Sequence, residues 1–241
     1  MRGILPAPAP PCLMPDCCAM LLRVTNPSEL AAWRRTQRET LLRQRMAMAR
    51  DLRDHYGRAI SRRLLQCFAP AAGTVVGIYW PIKGEFDPRF VARQWRQAAV
   101  RTALPLVIGR DMPLEFRLWS PGVTMLPGAF GLPRPQGTPH VTPHMLLMPP
   151  VGWDALGYRL GYGAGYYDRT LAAMPRSTLK IGVGFECSRI NSIDPQAHDI
   201  AMDFIVTEAT VYLAGPQGLR PLDNADAVQR ALRQWRELRA P

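Results

Sequence analysis

Met145-Leu146-Leu147-Met148-Pro149-Pro150, followed nine residues later by Arg159-Leu160-Gly161-Tyr162-Gly163-Ala164-Gly165-Tyr166-Tyr167-Asp168-Arg169, decides how this chain is read. The first part is a short apolar run closed by proline, as a buried parallel strand leaving its sheet would be. Val151-Gly152-Trp153-Asp154 and Gly157 mark a turn before the second part. There, glycines at alternate positions permit positive φ and let backbone N–H groups approach an anion, because no Cβ stands in the way. Tyr166 to Ala173 contains neither Gly nor Pro. It predicts a helix whose N-terminus adds partial positive charge. A Gly-x-Gly-x-Gly string alone also fits ordinary tight turns. The order strand, loop, glycine loop, helix favours a polyphosphate grip, since ligands of open α/β sheets gather at the carboxyl ends of strands.

Working outward, residues 28–47 and 51–68 read as two helices, with Ser28 as a possible cap and Leu30, Trp33, Leu41 and Met48 marking the apolar side of the first. Thr74 to Tyr79 is β-rich and delivers Trp80 to Asp87 at its end; Pro88 to Ala99 predicts a helix and Val100 to Val107 a strand. Leu114 to Trp119 alternates like an edge strand, whereas residues 120–143, dense in Pro and Gly, predict a loop. Thr178 to Phe185 and Asp203 to Glu208 predict further strands, and Asp223 to Leu238 an amphipathic helix that docks on the domain. Strands interleaved with helices predict a three-layer α/β/α domain around a mostly parallel sheet. The organisation expected is a Pro-rich, disordered segment over 1–27, a core over 28–212, and a linker with the amphipathic helix over 213–241.

The 241 residues, 47% hydrophobic and 20% charged, suit one packed α/β domain. The formal charge is +11, and ten arginines crowd residues 34–63 against Glu39, Asp51 and Asp54. Such a face can be solvated helix surface, a nucleic-acid patch, or a field that draws in anionic substrates. No base-stacking aromatic pattern or helix-turn-helix punctuation accompanies it, which speaks against nucleic acid. Cys12, Cys17 and Cys18 lie in the Pro-rich opening while Cys67 and Cys187 stand alone, so neither a zinc spacing nor a disulfide framework emerges, and reduced cytoplasmic thiols are expected. No run reaches the ~20 apolar residues needed to span a membrane. The opening lacks the apolar core of a signal peptide, with Met20 an alternative start.

The string Pro150, Trp153-Asp154, Gly157, Arg159-Leu160-Gly161, Gly163-Ala164-Gly165, Tyr166, Tyr167-Asp168 resembles the hallmark of the 5-formyltetrahydrofolate cyclo-ligases, and the likeness runs from about residue 30 to about residue 208. Trp153 stands where Phe is usual and Ala164 where Gly or Lys is usual; Arg159 and Arg169 remain to cover phosphates. The resemblance implies the fold shared with ribose-5-phosphate isomerases and coenzyme A transferases, and the ATP- and magnesium-dependent conversion of 5-formyltetrahydrofolate to 5,10-methenyltetrahydrofolate. It implies Arg159 as the catalytic charge; Arg34 and Arg38 (with Arg35 equally close), Arg159, Arg169 and the loop Leu160, Gly161, Tyr162, Gly163, Ala164, Gly165, Tyr166 and Tyr167 around ATP; Trp80, Glu85 and Tyr162 around the folate; and Asp168 and Asp199 on Mg2+. Glu85 also reads as a first-turn acid before the helix at Pro88. The expectation is a monomeric, cytoplasmic enzyme with a small-molecule substrate and no nucleic-acid or membrane partner. The alternatives are an ATP-independent isomerase or transferase of the same fold, or a nucleic-acid-binding module built on the arginine-rich helices.

Overall fold

The computed structural model describes residues 26–239. The expected disorder of the opening segment concerns residues outside that range, as do Cys12, Cys17 and Cys18. Two helices, α1 (Pro27–Ala47) and α2 (Arg50–Cys67), precede β1 (Val75–Gly77), α3 (Arg89–Gln97), β2 (Arg101–Val107) and β3 (Leu114–Leu118). Then come β4 (Met125–Pro127), β5 (Pro133–Pro135), β6 (Met145–Met148), β7 (Gly152–Trp153), β8 (Arg159–Leu160) and α4 (Tyr166–Ala173). The chain closes with β9 (Leu179–Val183), β10 (Phe204–Val206), β11 (Val211–Gly215), β12 (Gly218–Leu222) and α5 (Ala225–Leu238).

Eight strands form one sheet in the order β12-β11-β10-β9-β6-β1-β2-β3. The five from β2 to β10 run parallel, while β3 at one edge and β11 with β12 at the other pair antiparallel. Central strands of a parallel sheet are covered on both faces and so need apolar residues throughout. β6 and β9 meet that demand, every residue of both being buried. On one face Ile60 and Leu64 of α2, Val91 and Trp95 of α3, and Val228 and Leu232 of α5 pack on Leu147, Ile181 and Phe204. On the other, Leu171 of α4, Trp153 and Met202 pack on Leu146, Met148 and Ile205. These are the three layers expected. Lys180, central in β9, is buried, but its ammonium meets Asp203 at 2.9 Å.

Three local readings change. Asn26, not Ser28, caps α1, its side chain accepting from the Ser28 N–H at 3.0 Å. The 120–143 loop contains the small hairpin β4–β5. Residues 213–222, expected as linker, belong to the outer two strands, which turn through Pro216 and Gln217. Gly218 there has φ +101, a conformation open to glycine. α5 then docks as expected. No helix among the described residues is long and apolar enough to cross a membrane.

Leu232 is 3% exposed. Leu232→Ala should cost about 2–5 kcal/mol, seen as a lower urea midpoint of one cooperative transition. A separate early melting of α5, with the rest unchanged, would show that this helix is not part of the core.

Candidate functional site

The carboxyl ends of β1, β6 and β9, neighbours in the sheet, release three long segments side by side: residues 78–88, 149–165 and 184–203. Helix α1 touches all three through arginines. Arg45, 3% exposed, donates from Nε to Lys83 O (3.0 Å), from Nη1 to Pro150 O (3.0 Å) and from Nη2 to the Tyr162 hydroxyl (2.8 Å). Arg38 Nε donates to Gly161 O at 2.8 Å. Arg34 donates to Ile193 O and Asp194 O and pairs with Asp199 at 2.6 Å. Leu41, between these arginines, packs with Val151, Leu160 and Ile193.

The glycine loop is shaped from both sides. Gly163 (φ +99) and Gly165 (φ +66) take the left-handed backbone that favours glycine, whereas Gly161 does not. A Cβ on Gly163 would lie 3.3 Å from Arg38 Cζ, so the missing side chain lets the guanidinium lie against the loop. Gly165 precedes α4 with no side-chain cap, leaving the first helical N–H groups for an anion. Arg169 folds back, donating to Ala164 O at 2.6 Å and covering the Tyr166 ring at 5.2 Å. The Leu160 side chain is buried in the cluster with Leu41, so only its backbone can face a ligand. Tyr167 is partly buried, 5.9 Å from the Arg159 guanidinium.

Arg159 points inward, donating from Nη1 to Ile200 O and from Nη2 to Asp168 Oδ1, each at 2.6 Å. Burial lowers its pKa, with Asp168 opposing. Asp168 Oδ1 also accepts the Ile200 N–H at 3.2 Å, while Oδ2 accepts no hydrogen bond among the described residues. The two aspartates are thus linked through adjacent residues, Asp199 and Ile200. Burial acts to raise the Asp199 pKa, but the bonds from Arg34 and the Gln196 N–H outweigh it and hold the carboxyl below its ordinary value. Among the described residues no group of three or more His, Cys, Asp or Glu side chains could hold a metal. Magnesium that also binds phosphate oxygens and water needs only one or two carboxylates.

Glu85 is 8% exposed. Its Oε1 accepts from the Tyr162 hydroxyl at 2.6 Å and its Oε2 from the Ile82 N–H at 2.9 Å, with Arg45 Nη2 3.7 Å away. Burial pushes its pKa up against these stabilising partners. The same burial, with Glu85 beside it, raises the Tyr162 phenol. Glu85 therefore faces Tyr162 and the Ile82 N–H and does not cap α3, whose start is preceded by Pro88. Trp80 stands edge-on to Trp119 at 6.2 Å with the Arg89 guanidinium 4.7 Å from its ring.

The sequence reading missed Arg45, the most connected of these groups. A signal existed: Arg34, Arg38, Leu41 and Arg45 recur at spacings of four, three and four, a single helical face. Arg35, the alternative to Arg34, is exposed and off that face.

The sequence profile of the 5-formyltetrahydrofolate cyclo-ligase family matches residues 30–208. The 5-formyltetrahydrofolate cyclo-ligase of Mycolicibacterium smegmatis is 29% identical over 179 residues, 70% of this chain and 91% of its own. That of Escherichia coli K12 is 24% identical, covering 71% and 99%. Among solved structures, a 5,10-methenyltetrahydrofolate synthetase from Mycoplasma pneumoniae superposes with TM-score 0.61 at 25% identity, covering 73% of this chain and 98% of that one. The synthetase from Aquifex aeolicus gives TM-score 0.63 at 28% identity, covering 79% and 93%.

A carboxylate held below its ordinary pKa contributes stability above its unfolded pKa and loses it as pH falls through the folded one. Arg34→Ala should therefore lower the melting temperature by several degrees at neutral pH. The gap from wild type should narrow in acid, as Asp199 takes up its proton. A gap independent of pH down to that range would show that the pair does not anchor α1 electrostatically.

Proposed function

The chain belongs to the 5-formyltetrahydrofolate cyclo-ligase family, and from that membership we propose that the cleft beneath α1 uses ATP to close 5-formyltetrahydrofolate to 5,10-methenyltetrahydrofolate, releasing ADP and phosphate. One observation carries this reading to the residues: Tyr162 sits inside the glycine loop while its hydroxyl bonds Glu85. The phosphate-binding segment and the carboxylate assigned to the folate therefore meet at a single side chain.

The chemistry asks for little beyond placement and charge. A formyl oxygen leaves poorly as oxide and well as phosphate. In this scheme it attacks the γ-phosphorus, ADP departs, N10 adds to the formyl carbon and gives up its proton to solvent, and phosphate is expelled to leave the methenyl bridge. Such a sequence needs no nucleophilic side chain, only alignment and stabilisation of phosphate charge. The N–H groups of Gly161 to Tyr167 and the start of α4 suit the phosphates, with Arg38 and Arg169 shaping the loop. Glu85 offers an acceptor to pterin N–H groups, and Trp80 an aromatic face.

Magnesium would neutralise phosphate charge there. The uncommitted Oδ2 of Asp168, beside the first turn of α4, fits its preference for carboxylate, phosphate and water oxygens. Asp199 would have to loosen from Arg34 to join it. Arg159 is best read as the charge beneath the loop, fixing Asp168 and the 200 segment from inside.

Formation of methenyltetrahydrofolate from 5-formyltetrahydrofolate, followed by absorbance, should require both ATP and magnesium. Turnover that survives removal of ATP would instead favour an isomerase or transferase of the same fold. Arg159→Ala should lower kcat/KM by about 100-fold, as loss of one charge-stabilising donor does. If Arg159 works by fixing Asp168, Arg159→Ala combined with Asp168→Asn should cost little more than either alone. Fully multiplicative losses would assign the two residues separate roles.

A further inference from the structure

The sheet has a second end. Where β1, β6 and β9 begin, opposite the cleft, helix α5 crosses beneath them. Gln229, Leu232, Trp235, Arg236 and Arg239 follow at spacings of three, three, one and three, so they share one helical face. Leu232 anchors that face in the core, and Gln229 Nε2 donates to Cys67 O at 2.6 Å, fixing α5 to the end of α2. Between this face and the strand starts lies a cavity of about 400 Å³, a size typical of small-molecule sites. It is walled on the sheet side by Thr74, His144, Met145, Ser177 and Leu179. Because α5 lies beyond the segment shared with relatives, the cavity belongs to this chain's C-terminal extension.

The lining divides into two kinds of surface. Pro70, Met145, Leu179, Leu232 and the Trp235 ring are apolar. The ionisable groups are Arg236, Arg239 and His144, and no acid lines the cavity. Arg239 is committed, 3.2 Å from Asp203, donating to Arg176 O at 3.1 Å and covering the Trp235 ring at 5.4 Å. Arg236 forms no ion pair among the described residues. His144 Nδ1 accepts the Val75 N–H at 3.1 Å, which leaves the ring's own hydrogen on Nε2 as a donor. A concave wall of donors and cations beside apolar surface selects an amphiphilic anion. The indole of Trp235 favours a planar body, and the Arg236 guanidinium a carboxylate, which it can meet with two parallel N–H groups.

We infer that the cavity between α5 and the strand starts is a second small-molecule site, taking an aromatic carboxylate with its rings against Leu179, Leu232 and Trp235 and its carboxylate at Arg236. The inference does not depend on the function proposed above. β9 alone carries the chain about 16 Å from this end of the sheet to the other, so the occupant is distinct from the molecules held in the cleft.

The probe is 2-naphthoate, added to the full chain and followed by amide chemical shifts. Shifts should gather at Ser177, Gln229 and Arg236 and leave Gly161 to Gly165 in place. Arg236→Gln should weaken binding about fivefold, as loss of one exposed charge contact gives. 2-Naphthamide, the neutral isostere, should bind about tenfold more weakly than the carboxylate. Ala71 and Ser177 stand exposed on the rim, so Ala71→Trp and Ser177→Trp can fill the cavity without disturbing the core, and each should reduce affinity about tenfold at an unchanged unfolding midpoint. Absence of binding, shifts confined to the glycine loop, equal affinity for the amide, or full affinity in both tryptophan variants would overturn the inference.

Discussion

The site depends on arginines buried where a helix would ordinarily bury leucines. Removing a guanidinium from water costs several kcal/mol unless its N–H groups find acceptors. Arg45 finds Lys83 O, Pro150 O and the Tyr162 hydroxyl, at sequence separations of 38, 105 and 117 residues. Arg38 and Arg34 repeat the arrangement on the glycine loop and on the 193–199 segment. The arginines of helix α1 are therefore satisfied only against all three segments after β1, β6 and β9, and each of those segments in turn gains a partner that fixes it. From Arg34 to Arg45 the helix advances about 16 Å, enough to cross three neighbouring strands. The order of arginines along α1 follows the order of strands across the sheet.

That clasp explains how a loop poor in side chains holds a shape. Gly163 and Gly165 give the loop its left-handed turns, and Arg38 and Arg169 hold its carbonyls from opposite sides. Glycine alone would leave the segment mobile; the arginines restrict it while leaving its N–H groups directed elsewhere. Beneath it, Arg159 is satisfied by Ile200 O and Asp168, so a second buried cation lies near the point where phosphate charge is expected without being exposed to solvent. The cleft is positive by construction, and Glu85, kept among Arg45, Tyr162 and the Ile82 N–H, is its buried acid on the side proposed for the folate.

The C-terminal part shows how a fold can extend past the segment shared with relatives. β11 and β12 continue the sheet beyond β10, and α5 covers the same face as α2 and α3. Asp203, next to β10, accepts from the Lys180 N–H and pairs with both the buried Lys180 ammonium and Arg239 just after α5. The extension is thereby tied by charge as well as by Val228 and Leu232 to strands that belong to the shared core.

The sequence by itself determined the layered α/β architecture, because apolar runs such as Met145 to Met148 and the punctuation by Gly and Pro are local properties. It also determined the glycine loop and the residues around it, since backbone freedom and helix starts depend on adjacent residues. The hairpin β11–β12 escaped because the turn at Pro216-Gln217 joins strands whose apolar alternation is weak. Arg45 escaped for a deeper reason: an arginine on a polar helix reads as solvated until its acceptors are known, and those lie on loops distant in the chain. Which arginines face inward, that Arg159 supports Asp168 from below, and that Glu85 meets Tyr162 were decided only in three dimensions. Hydrogen-bond satisfaction of a buried charge is a property of the assembled loops, and no window of sequence contains them all.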